Sequence, residues 1–463
     1  MYKTILVNKQ NKIKESYLKK IELVNTKDID SKDVLIEKET YENYLKLKEF
    51  LKEKNIEIGI SSCYRTIEKQ KEIYSEFKEK YGSDYAEKIV AEPRFSEHHT
   101  GLAIDINIKV NGSFPKDNIE LENHTKYYEE IFKYLKDFGF ILRYPKGKEE
   151  IIGYPYEPWH IRYVGKVPAT IIYENNWTLE EYLQDFSGVI VVNKQPGPTS
   201  FDIVNDISHI FGIKKVGHTG TLDPLAEGVL IVAIGKATKI VELLTKEDKE
   251  YVATVKLGIE TDTYDIEGKV LKSEPVKDNL EIEKALNYYK KTYLQEVPIY
   301  SAIKVNGKKL YEYARENKEV ELPKKEVTIK EIELLEKSKD EFTFKTCVSK
   351  GTYIRSLIRD IGNYLNTPAT MKRLIRTKQG NIDISNSNTI EDIKNNNYKL
   401  LSIEESLNYK AIELDEETAK KVSNGVKIKN NWNIKDKVIF KHNHKLLGIY
   451  EVKDDLLVTW KNL

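Results

Sequence analysis

Residue types able to do chemistry concentrate in two stretches of the chain. The segment Ser96-Glu-His-His-Thr-Gly-Leu-Ala-Ile-Asp105 carries His98 and Asp105, and Glu157-Pro-Trp-His160 carries a carboxylate three residues ahead of an imidazole. His98, Asp105 and His160 together make an imidazole–carboxylate–imidazole set, which suits a catalytic zinc with an open position for water. Two histidines and an aspartate also serve non-haem iron oxygenases. The additional Glu157, placed to act as general base on water, favours hydrolysis. A lone histidine in a loop is ordinarily structural or solvated, and His99 and His124 are read that way. The second stretch, Gly217-His-Thr-Gly-Thr-Leu-Asp-Pro-Leu-Ala-Glu-Gly228, is a glycine-rich loop around Asp223. Glycines let a backbone approach a ligand closely. A carboxylate on such a loop could be a nucleophile or steady cationic character on a sugar.

The elements that must position these residues read as an α+β multidomain chain. The 463 residues make about three domains. Amphipathic helices are expected over 40–54 and 67–81, the second with Ile73, Phe77 and Tyr81 spaced by four, and a strand over 56–61 between them. Near Ser187 the character changes. A buried-type strand over 188–193 leads to a Pro/Gly turn, a helix over 201–211, the glycine-rich loop and a strand over 229–234. Strand-like runs at 250–257, 326–332 and 341–348 suggest a mixed sheet. The Asn-rich patch 386–397 reads as a loop. Short alternating strands return at 437–441, 446–452 and 456–460. The boundaries fall near 186 and 409.

Charge excludes two classes. Lys+Arg is 75 against Asp+Glu 74, so neither a strongly basic nucleic-acid binder nor an acidic solvating chain describes the whole. The longest apolar run, 228–235, is far too short to span a bilayer, and the N-terminus shows no apolar signal region. Cys63 and Cys347 are the only cysteines, which fits a reducing compartment. A cytoplasmic location without membrane insertion is expected.

The pattern S-x-H-x-x-G-x-A-x-D followed by E-P-W-H, with Ser62-Cys-Tyr64-Arg65 and Gln70 ahead of it, resembles the VanY-type D-alanyl-D-alanine carboxypeptidases of peptidase family M15. The resemblance covers about 56–165. It implies an M15-type α+β domain over 1–186, Zn2+ on His98, Asp105 and His160, and Glu157 as base. It also implies Arg65 on the substrate's terminal carboxylate or oxyanion, Ser96 against the peptide, and a D-Ala-D-Ala-terminated peptide or dipeptide as substrate.

The Asp223 segment resembles the TruB-type tRNA pseudouridine synthases, whose hallmark is G-H-T-G-x-L-D-P-x-A-x-G. Further segments follow in family order. They are Gly188–Lys194 with Gly197-Pro-Thr-Ser200, Lys249-Glu-Tyr251-Val-Ala253, Pro298–Lys304, Gly307–Arg315 and Ser349-Lys-Gly-Thr-Tyr353-Ile-Arg355. The resemblance implies a mixed-sheet α+β catalytic domain over 187–408 and a small PUA-like β-barrel over 409–463. The activity implied is conversion of a T-loop uridine of tRNA, position 55, to pseudouridine without a cofactor. Asp223 would start N1–C1′ cleavage, and Arg355 would pair with it and aim it. Tyr251 would stack on the base and take the C5 proton. His218, Tyr353 and Leu374 would contact the flipped nucleotide. Lys304, Lys308, Lys309, Arg315, Lys372, Arg373, Arg376 and Lys378 are candidate phosphate contacts. The chain departs from the family's K-P-x-G turn, reading Lys194-Gln-Pro-Gly197. A different class of reading is a non-enzymatic RNA-binding or tRNA-folding protein with an inert peptidase-like domain. The presence of both Glu157 and Asp223 speaks against it.

Overall fold

The computed structural model of the protein describes residues 2–115 and 125–463. His124 lies outside the described residues. The chain forms two compact units. One holds Met1–Phe186, Asp206–Lys215 and Glu391–Tyr398, and the other Ser187–Asn205, Val216–Ile390 and Lys399–Leu463.

In the first unit the strands Ile58–Ser62, Ala103–Ile108, Glu157–Tyr163 and Phe140–Tyr144 lie side by side in that order, all antiparallel. Ala103–Ile108 is buried at all but one position, and its Ile104, Ile106 and Ile108 enter the core. The helix Lys38–Glu53 starts where the Glu37 carboxylate accepts the Thr40 backbone N–H. Its Tyr44, Leu47 and Leu51, spaced by three and four, enter the core with Ile58, Ile104 and Ile161. The helix Ile67–Tyr81, capped by Thr66, behaves differently. Its expected apolar stripe does not join that core. Gln70 is its buried residue, and Tyr81 is 49% exposed. Ile73 and Phe77 instead line a pocket beside His98.

The main sheet of the second unit runs Thr292–Glu296, Lys324–Lys337, Glu341–Val348, Lys249–Leu257, Ala369–Gln379, Glu227–Ile234, Gly188–Lys194, Leu400–Leu401. Pairing is antiparallel except between Ala369–Gln379 and Glu227–Ile234, which run parallel. The helix Ile354–Tyr364 buries Ile354, Leu357, Ile358 and Ile361, a helical stripe whose packing fixes the first turn that carries Arg355. The Asn-rich patch is not all loop. Ile390–Lys394 is a short helix, because Ile393 is fully buried and outweighs the polar composition around it.

The C-terminal segment forms a five-stranded sheet in the order Lys410–Glu413, Lys437–His442, Lys445–Lys453, Leu456–Asn462, Ile428–Lys429. The helix Glu416–Ser423 packs on it through Ala419 and Val422. Its edge strands do not pair with one another among the described residues, so what is described of the expected small barrel is a half-barrel sheet.

Candidate active sites of the two units

In the first unit, strand register brings the metal-type residues together. Asp105 stands opposite His160 across one ladder and opposite Ser62 across the other. His98 comes from the one-turn helix Glu97–Thr100 that leads into the same strand. The Oδ2 of Asp105 is 3.2 Å from His98 Nε2, and its Oδ1 is 3.1 Å from His160 Nδ1. The His98 Nδ1–H donates to the Cys63 carbonyl at 2.6 Å, so Nε2 presents its lone pair to the cluster. One ligand atom from each residue lies within 4.8 Å of the others. The Asp105 Oδ1 is buried and has no hydrogen-bond partner among the described residues. A buried carboxylate with such an oxygen, each of its oxygens facing an imidazole nitrogen, fits a bound cation. The donor set, two nitrogens and one oxygen, is one that a catalytic zinc takes.

Glu157 stands beside this cluster, 3.6 Å from His160 Nδ1. Burial pushes its carboxyl pKa up to about 7, where a base can both take and return a proton near neutrality. Burial opposes charge on His160, but Asp105 and Glu97 outweigh it and raise its pKa to about 9. Arg65 is held at the pocket by Gln70 Oε1 at 2.8 Å and Ser62 Oγ at 2.9 Å. Ser96 is buried and lines the same pocket of about 240 Å3 with Arg65, Glu157 and Trp159. His99 is structural. Its ring bridges the Arg65 carbonyl and the Arg94 backbone N–H.

Sequence reasoning passed over Glu97. It is fully buried and accepts from Arg143 Nε at 2.8 Å and Arg162 at 2.7 Å, while its other oxygen faces His160 Nε2 at 3.8 Å. The available signal was its place inside the motif, between Ser96 and His98.

In the second unit Asp223 receives Arg355 in bidentate fashion, from Nε at 2.8 Å and a terminal nitrogen at 3.1 Å. Two further guanidinium hydrogens go to the carbonyls of Thr263 and Tyr300. Arg355 is thus locked, while Asp223 keeps about a third of its side chain exposed. The loop is pinned by its neighbours. Ser200 Oγ accepts the Leu222 N–H, and Gly197 N–H reaches the Pro224 carbonyl. The buried Lys194 ammonium donates to the carbonyls of Gln195, Pro224 and Ala226. The displaced proline in the opening turn therefore leaves both contacts in place.

Register pairs Tyr251 with Arg376 and Ala253 with Leu374. Tyr251 and Leu374 thereby share one face of the sheet, both nearly buried. Tyr353 caps the Arg355 helix, and burial raises its phenol pKa, with Asp223 adding to the effect. His218 lies at the start of the loop, its Nδ1 accepts the Gly220 N–H, and burial lowers its pKa.

The candidate phosphate contacts divide. Arg376 is 1% exposed and donates to the carbonyls of Val229 and Gly220, which corrects its reading as a phosphate contact. Lys308, Lys372 and Arg373 are ion-paired with Glu316, Glu341 and Glu227. Arg315 lies over the Tyr311 ring, and Lys309 donates to the Tyr311 hydroxyl. Lys304 and Lys378 are exposed.

Residues 33–166 match the family model of D-alanyl-D-alanine carboxypeptidases, and residues 208–354 match that of the N-terminal domain of the TruB family pseudouridylate synthases. The tRNA pseudouridine synthase B of Caldanaerobacter subterraneus subsp. tengcongensis is 44% identical over 255 residues, 54% of this chain and 90% of that protein. That of Clostridium tetani is 49% identical over 249 residues, 53% of this chain and 86% of the relative. Among solved structures, a mutant of the vancomycin resistance D,D-pentapeptidase VanY in complex with Zn(II) is 33% identical. It aligns with 40% of this chain and 99% of its own, at a TM-score of 0.34. One chain thus carries a carboxypeptidase-type domain followed by a pseudouridine synthase domain. The chain belongs to the TruB family of tRNA pseudouridine synthases and carries a VanY-type D-alanyl-D-alanine carboxypeptidase domain ahead of it.

Proposed function

We propose that the second part isomerises uridine 55 in the T loop of tRNA to pseudouridine, and that the first part removes D-alanine from D-Ala-D-Ala-terminated peptides or the free dipeptide. Both activities are placed in the cytoplasm. The proposed domains are 1–186, 187–408 and a PUA-like 409–463.

The observation that carries the synthase reading is the locked Arg355 beneath a partly open Asp223. The rigid guanidinium aims the carboxylate, which starts N1–C1′ cleavage as nucleophile or base. The freed uracil turns and rejoins through C5. Tyr251 stacks on it and accepts the C5 proton. His218, Tyr353 and Leu374 hold the flipped nucleotide, since C1′ and C5 are out of reach inside a stacked loop. Asp223→Asn tests this. Conversion of a T-loop stem-loop is expected to vanish while gel-shift affinity persists, because phosphate contacts dominate binding. Turnover near wild type would remove Asp223 from the mechanism.

For the first part, His98, Asp105 and His160 would hold zinc, which supplies Lewis acidity to water and to the scissile carbonyl. Glu157 takes the proton from the attacking water and returns it to the leaving amine. Arg65 fixes the terminal carboxylate, a contact its planar fork suits, and Ser96 lines the peptide's path. Glu157→Ala is expected to lose hydrolysis of D-Ala-D-Ala by about 100-fold or more while retaining one equivalent of zinc. Loss of the metal would make Glu157 a ligand instead.

A further inference from the structure

Outside both sites, the first unit has a groove of about 920 Å3. Five lysines line it: Lys12, Lys14, Lys20, Lys214 and Lys215. All five are exposed. No aspartate or glutamate lines the groove, and none of the five lysines has an ion-pair partner among the described residues. In a chain with net charge +1, this is an uncompensated local charge of about +5. Lysines in the second unit that looked suited to phosphate, such as Lys308 and Lys372, are by contrast neutralised by glutamates.

The groove is built and not a chance gathering of side chains. The N-terminal segment is fastened to the 208–212 turn by the Tyr2 hydroxyl on Ser208 Oγ at 2.7 Å and by Thr4 Oγ1 on the Gly212 carbonyl at 2.6 Å. The Tyr2 ring stacks on His209 at 4.7 Å, with Lys214 Nζ 5.7 Å from its centroid. Lys12 and Lys14 line the same groove as Lys214 and Lys215. The groove shares no lining residue with the peptidase-type pocket. A peptide ending at Arg65 has no call on it.

We propose that this groove binds the phosphate backbone of the tRNA that the second unit modifies, so that the first unit contributes RNA contacts. This rests on the reading of the second unit as a tRNA synthase. Covalent continuity favours that occupant. Lys214 and Lys215 run directly into the strand Val216–His218 and on to Asp223. Seven residues separate Lys215 from Asp223, so the eight Cα–Cα steps span at most about 28 Å of chain. An RNA whose uridine reaches Asp223 thus has phosphates within range of the groove.

The test compares the full chain with Lys12→Ala/Lys14→Ala/Lys20→Ala, measuring filter binding of an unmodified tRNA transcript over a salt series. The variant is expected to bind roughly tenfold more weakly near physiological salt. The slope of log K against log salt should fall by about 2–3, since each lost phosphate contact removes slightly less than one unit. The triple Lys→Arg variant is expected to bind like wild type. Melting temperature and zinc content serve as folding controls. Unchanged affinity and slope in the alanine variant, with wild type still converting uridine, would overturn the groove alone. Loss of binding in the arginine variant would overturn its charge basis. A wild-type chain that neither binds nor converts tRNA would overturn the synthase reading and the groove with it.

Discussion

Glu97 stands between two guanidiniums and an imidazole, with no exposure to water. Its Oε1 takes both arginines, and its Oε2 faces His160 Nε2. Both facing atoms lack a hydrogen-bond partner among the described residues. With His160 Nδ1 turned toward Asp105, this is the arrangement in which a carboxylate behind a ligating imidazole fixes its orientation and raises its basicity. Arg143 also grips Glu180 through both terminal nitrogens, so the buried charges balance as two arginines against two glutamates. Glu97→Gln is expected to weaken zinc about 10–100-fold in competition with a chelator. It should also lower stability by about 3 kcal/mol, because a buried guanidinium pair loses half its counter-charge. Zinc affinity equal to wild type would show that His160 is oriented by the fold alone. The ligands themselves were legible because their chemistry demands particular residue types at fixed spacing. Glu97 was not, because its role depends on Arg143 and Arg162, which only the sheet brings beneath it.

Strands and their crossings decide how the Asp223 loop is presented. Gly228 ends that loop with φ of 101°, a conformation that disfavours any side chain. A Cβ there would lie 2.3 Å from the Arg376 carbonyl oxygen. This is the point where Glu227–Ile234 meets Ala369–Gln379 in parallel register. Arg376 reaches through the crossing to Val229 and Gly220, tying the two ends of the loop to one side chain. Gly228→Ala is expected to cost roughly 2 kcal/mol or more in urea unfolding of the second unit, from backbone strain and strand separation together. It should also lower the turnover of uridine, since Asp223 would shift relative to Arg355. An unchanged unfolding midpoint would mean that the strands part without penalty. The alternation of Lys249–Leu257 marked its strand plainly, every second residue being buried. Arg376 was misread because a charged residue on a strand signals solvent or phosphate, and its burial follows from a crossing between segments some 150 residues apart. The helix Ile390–Lys394 was missed for a related reason, as one buried isoleucine overrides a polar composition.

At the scale of the whole molecule, the two proposed chemistries fall in separate units. The residues proposed for peptide hydrolysis, from Arg65 to His160, all belong to the first unit, and Asp223, Tyr251 and Arg355 to the second. Among the described residues, His98, Asp105 and His160 are the one grouping of His, Cys, Asp or Glu close enough to hold a metal ion. The uridine reaction proposed at Asp223 moves electrons and protons between a carboxylate, a sugar, a base and a phenol, and none of these steps calls on a cation. Removing the metal should therefore divide the two activities. Dialysis of the full chain against a chelator is expected to abolish hydrolysis of D-Ala-D-Ala, and one equivalent of zinc to restore it. Conversion of a T-loop uridine by the same sample is expected to stay within about twofold of the untreated protein. The first unit should melt at a lower temperature after chelation, because an ion bound only by the folded state stabilises that state. The transition of the second unit should not move. Coincident loss of both activities would show that synthase function requires the metal-bound first unit, and retention of hydrolysis without zinc would remove the metal from the peptidase mechanism.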